Sequence, residues 1–160
     1  MSSQLRIDQA EAALIAMLEA KMQAAYGSPV QVDSLGDKDF DDDGTLILQP
    51  PAIRVRYTGT KFASLRDNSG LTYMAEHVWE VLCFESSLRS KEDERAQTLA
   101  LVAVALNQLA GARLQLADGS TTPPVKLEGV SLVIAPGAAD QSFGISIVVG
   151  GPAQFDGPNA

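Results

Sequence analysis

The sequence predicts an α+β fold: a mainly antiparallel sheet of four to five strands with two long helices packed on one face. Three observations predict it. Two stretches carry apolar residues at helical spacing. Several others alternate or are rich in β-formers, and Gly, Pro and Asn-Ser-Gly turn signals separate them. With only two helices available, one layer covers one side of the sheet, while a strand apolar on both sides sits in the middle of the chain.

The first helix spans Leu5 to about Tyr26. Ile7, Ala10, Leu14, Met17, Leu18 and Ala25 mark its buried side, and Glu11, Glu19, Lys21 and Gln23 its wet side. Gly27, Ser28 and Pro29 end it. Val30 to Leu35 follows as a short strand. Ala52 to Thr58 alternates, with Ile53, Val55 and Tyr57 on one side and Arg54, Arg56 and Thr58 on the other; Pro50 and Pro51 set its entry and Gly59 its exit. Lys61 to Gly70 is a polar loop. Leu71 to about Glu85 is a long strand, apolar on both faces between Val78 and Phe84 except at Glu80. A strand of that kind is covered by a second layer or by another subunit.

The central helix runs from Ser90 to Gly111. Leu99, Val102, Ala103, Leu106, Leu109 and Ala110 give the i, i+3, i+4, i+7 spacing of its buried face, and Leu101, Val104 and Ala105 widen it. Ser90 is placed to cap it, Glu92, Asp93 and Glu94 suit its positive end, and Gly111 is a left-handed stop. Arg113 to Ala117 is a short strand. Lys126 to Ile134 and Phe143 to Val149 form a closing antiparallel pair joined by Pro136 to Gln141. The chain therefore divides into one domain over 1–150 and a flexible C-terminal tail over 151–160.

The 160 residues, 46% hydrophobic and 20% charged, belong to a folded domain with a real core. A net charge of −8 argues against a nucleic-acid-binding surface and against an anionic membrane as partner, and suits a surface that DNA slides past without sticking. No apolar run reaches the length of a membrane span. One cysteine, Cys83, excludes an intrachain disulfide and fits a reducing compartment. No signal peptide is visible, so the chain is expected in the cytoplasm where it is made.

No residue pattern points to catalysis, a cofactor or a metal. His77, the only histidine, lies in a strand between apolar positions with no second ligand beside it. Cys83 lies six residues along the same strand, about 20 Å away at ~3.3 Å per residue, too far for a nucleophile–base pair. Asp39, Asp41, Asp43, Gly44 and Leu46 match the first half of a calcium loop, but the twelfth position is Pro50 instead of a bidentate Glu. A solvated or partner-facing acidic loop fits better. Arg54 and Arg56 stand out in an acidic chain; they either form a solvated face or pair with carboxylates of a neighbouring subunit.

The order of parts then resembles a known family. An amphipathic first helix precedes an acidic Gly-Asp-x-Asp-Phe-Asp loop (Gly36 to Asp41) and a Pro-Ala-Ile-Arg-Val-Arg-Tyr-Thr-Gly strand (Pro51 to Gly59). A long Trp-containing strand follows, then a helix ending Ala-Leu-Asn-Gln-Leu-Ala-Gly-Ala-Arg-Leu (Ala105 to Leu114). Over about Leu5 to Val149 the chain resembles the tail terminator family of Mu-like contractile-tailed bacteriophages. The resemblance implies a virion structural protein without enzymatic activity, a hexameric ring on the head-proximal end of the tail tube. That ring stops tube and sheath growth, joins the tail to the neck or head-completion protein, and lets DNA through its lumen. It implies no catalytic residues and no cofactor. A ring needs two different patches per subunit; the candidates are the strand around Trp79 and the Arg54/Arg56 face opposite Asp39, Asp41 and Asp43. The competing readings are another neck, head-completion or tube ring protein, a small ligand- or calcium-binding module, and an enzyme without a recognisable motif.

Overall fold

The protein is described from a computed structural model covering residues 6–64, 70–85, 91–133 and 142–158. The elements are α1 (Ile7–Ala25), β1 (Gln31–Ser34), a short 3-10 turn (Asp37–Asp39), β2 (Ala52–Ser64), β3 (Thr72–Phe84), α2 (Lys91–Leu109), β4 (Lys126–Val133) and β5 (Ser142–Gln154). The five strands form one sheet in the order β1-β2-β3-β5-β4. Only β1 is parallel to its neighbour; every other pair is antiparallel, so the fold is the expected α+β class.

Both helices lie on one face, and the packing follows the strand period of two. Ile53 and Val55 from β2, Trp79, Val81 and Cys83 from β3, and Ile145, Ile147 and Val149 from β5 point into the main core. Leu14, Leu18 and Met22 of α1 and Leu101, Ala105 and Leu109 of α2 meet them. Gly111, at φ 71°, ends α2 in the left-handed region that glycine occupies without a Cβ clash. Ser90 lies outside the described residues, as does the Pro136 to Gln141 connection. Among the described residues no helix is long and apolar enough to cross a membrane.

Several expectations are corrected. The buried side of α2 is rotated: Glu94, Thr98, Leu101, Val102, Ala105 and Leu109 are buried, whereas Ala103 and Ala110 are exposed and Leu99 is 43% exposed. A helix apolar around most of its second half leaves its phase open, and the polar residues at 94 and 98 disguise the true one. Thr98 is accommodated because its hydroxyl donates to the Glu94 carbonyl at 2.8 Å. Glu11, expected in water, accepts hydrogen bonds from Trp79 Nε1 (3.2 Å) and from the Ser34 hydroxyl (3.0 Å). The buried indole thus has a partner for its N–H.

Gly59 does not end β2. It follows a bulge, with a register shift between Tyr57 and Gly59, after which pairing with β3 resumes as far as Ser64 opposite Tyr73. Arg113 to Ala117 contributes an isolated bridge, Gln115 to Thr121, instead of a named strand. β5 runs on beyond Val149, pairing Gly150 to Gln154 with β3, and Phe155 packs edge-on against Phe62 and Tyr73. The boundary expected after 150 therefore falls inside a strand. Its Gly-Gly-Pro composition reads as a tail because the partner supplying the ladder, Thr72 to Glu76, is distant in sequence.

Candidate functional site

Arg54, Arg56 and the acidic loop singled out in the sequence gather on the sheet face away from the helices. There Ala52, Leu82 and Phe84 form a second, smaller apolar cluster, packed by Leu35, Leu46 and Leu48 from the connection before β2 and by Val133. The acidic stretch 36–51 is therefore the layer that covers this end of the sheet. The apolar second face of β3, expected to need a partner, is met there by the same chain.

Asp39 holds that layer down. It is buried, and its carboxylate accepts from Arg54 Nε at 2.9 Å and from the Gly36 amide at 3.0 Å. Arg54 is buried too; its Nη1 donates to the carbonyls of Gln31 (3.1 Å) and Ile53 (3.0 Å). The pair is charge-assisted and backed by these two further hydrogen bonds from Nη1, which help a buried ion pair to be tolerated. Arg56 bonds Glu80 through Nη2 to Oε2 at 2.6 Å. The Glu80 side chain lies across Gly144, where an added Cβ would stand 2.6 Å from Glu80 Oε1. The carboxylates expected from a neighbouring copy are thus supplied within the chain, Asp39 for Arg54 and Glu80 for Arg56. Sequence spacing did not show it, since the partners lie 15 and 24 residues away.

The rest of the acidic loop forms a tight hairpin bridged at Phe40 and Leu46. One oxygen of Asp41, Oδ1, accepts from the amides of Asp43 (3.0 Å) and Thr45 (2.8 Å), and Gly44 turns at φ 79°. Asp41, Asp42 and Asp43 are exposed at its tip. Asp39, the first calcium-loop position, is turned away to Arg54. Among the described residues no three His, Cys, Asp or Glu side chains converge to hold a metal.

Trp79 is 0% exposed, at the centre of the main core, so it offers a neighbouring copy no surface. Tyr57 and His77 flank it, with ring centroids 5.6 and 5.8 Å from the indole. His77 is buried; its Nδ1 lies 2.7 Å from the Thr60 hydroxyl, which is in turn hydrogen-bonded to the Tyr57 phenol. Cys83 is fully buried and burial pushes its thiol up to about 12, which disfavours the thiolate a nucleophile needs. Tyr26 is likewise raised, first by burial and then by donating to Glu85 at 2.6 Å.

A cleft of about 420 Å³ opens at the far end of the sheet, missed by the sequence reading. Ala10, Ala75 and Gly151 leave it hollow, and Arg6 borders it, paired to Asp118 at 3.1 Å and to Ser120 at 3.1 Å. Small residues at three distant positions carry no joint signal in a sequence.

No protein-family model matches the chain, and no curated protein matches it. Among solved structures, the chain is similar to one from the virion of a native gene transfer agent (GTA) particle, at 18% identity and a TM-score of 0.50. The similarity covers 97% of this chain and 100% of that one. Similarity at that identity shows a shared fold, spanning helices and sheet together.

Proposed function

We propose that the chain is a structural protein of a phage-like virion and, within it, a tail terminator: a hexameric ring that caps the head-proximal end of the tail tube, stops tube and sheath growth and carries the joint to the neck. The observation that carries the virion role is the end-to-end fold similarity to a virion chain. The terminator role rests on the resemblance over about Leu5 to Val149, carried most specifically by Pro51 to Gly59 and Ala105 to Leu114. Burial of Cys83 and the hydrogen bonding of His77 to Thr60 agree with a structural rather than a catalytic protein. The exposed Asp41 and Asp43 and the half-exposed Arg56 are the residues of the expected interface that a neighbouring copy can reach.

The test is electron microscopy of tails assembled with and without this chain. In its absence overlong, headless tails are expected, and in its presence the purified chain seated on tube ends. Missing tubes would make it a tube subunit instead, and tails of normal length that fail to join heads would make it a neck protein.

A further inference from the structure

The two edges of the sheet are finished differently. β1 is four residues long, and the Ser34 amide at its end is taken by the Asp33 carboxylate at 2.8 Å. β4 is eight residues long, is hydrogen-bonded on one side only, and is exposed from Lys126 through Leu132. Its bulge, between Leu127 and Gly129, removes Glu128 from the ladder. Leu127, Val130 and Leu132 therefore stand opposite Ile147, Ile145 and Phe143, at every second position of one face. All three are open to solvent, at 40%, 44% and 48%. The other face carries Gly129 and Ser131. In ladder order the edge reads large apolar, small, large apolar, small, large apolar, and is the same in both directions about Val130.

An antiparallel strand pair built on a two-fold axis perpendicular to the sheet brings one residue opposite its own copy, with flanking positions exchanged. Val130 is the residue for which that exchange matches Leu127 with Leu132 on both sides and Gly129 with Ser131. Neither charged residue of β4 meets a like charge: Lys126 falls opposite Val133, and Glu128 is in the bulge.

We infer that β4 pairs antiparallel with β4 of a second copy about a two-fold at Val130, joining two sheets edge to edge with the helices of both copies on the same side. This contact closes a dimer and not a ring. It therefore goes beyond the terminator reading and stands or falls separately from it. It also accounts for a long apolar edge that would otherwise recruit strands indiscriminately.

Cysteine pairing tests it on the full chain, because the only native thiol, Cys83, is buried. Across the axis the Val130 Cα atoms are ~4.5–5.5 Å apart, within disulfide reach. Two Ser131 Cα atoms are ~8 Å apart and beyond it. Under mild oxidation Val130→Cys is expected to form covalent dimers and Ser131→Cys to form none. Sedimentation of the unmodified chain across a concentration series is expected to show a dimer. Val130→Lys, which sets two cations face to face, should weaken that dimer by at least about tenfold while circular dichroism shows the fold unchanged. A folded monomer throughout the series, equal cross-linking of the two cysteine variants, or an unweakened Val130→Lys dimer would overturn the inference. Failure of the chain to cap tubes would leave it standing.

Discussion

The two faces of the sheet solve the same burial problem by different means. On the helix side, side chains from three strands and two helices interlock around Trp79, and the main polar contact is the indole N–H donating to Glu11. On the other side, a loop lies on a cluster of three buried residues, pinned by a buried ion pair and bordered by a half-exposed one. The first face draws its stability from close-packed apolar volume. The second draws it from a few directed contacts, so it depends more on single residues. Four substitutions sharpen the contrast.

The largest loss is expected from Trp79→Ala, which empties the centre of the helix-side core and removes one of the two donors to Glu11. About 3–5 kcal/mol should disappear from the unfolding free energy in a urea titration. Arg54→Met comes next. It leaves the Asp39 carboxylate buried with the Gly36 amide but no cation, a defect of about 3 kcal/mol or slightly more. The double change Arg54→Met with Asp39→Leu should recover much of that loss, since an apolar pair carries no stranded charge. If single and double variants are equally destabilised, the ion pair is not what holds the loop down.

Gly144→Val is a smaller test on the same face. Its new Cβ collides with the end of the Glu80 side chain, which can swing aside, so about 1–2 kcal/mol is expected, with the Arg56–Glu80 bond lost. Arg56→Ala should cost the least, under about 1 kcal/mol, because its side chain is 49% exposed and water screens the pair. A double-mutant cycle between Arg56 and Glu80 measures that coupling directly.

The same contrast explains what the sequence made legible. Helix-side residues sit at regular periods, so α1, β3 and the inward pair Ile53 and Val55 could be read from spacing. The phase of α2 could not, because Leu99 and Leu101 are chemically alike and only the position of the sheet chooses between them. The loop side was hardly legible. Nothing local to Asp39 says that it folds back onto Arg54, or that Leu46 and Leu48 turn inward while Ile47 stays 53% exposed. Arg54, Arg56 and the acidic residues stood out by type, but their pairing is a long-range fact. Trp79 was conspicuous for the opposite reason: the size that suits an interface equally suits the centre of a core.

The cleft near Gly151 has a consequence for how the molecule opens. Beyond Val148 the fifth strand has lost β4, whose pairing starts at Lys126, and is held by β3 alone. Beside it lies a hollow where small side chains forgo dispersion contacts. The stretch from Gly150 to Gln154 should therefore peel away before the rest of the domain, exchanging its amide hydrogens with solvent orders of magnitude sooner than Ile145 and Ile147.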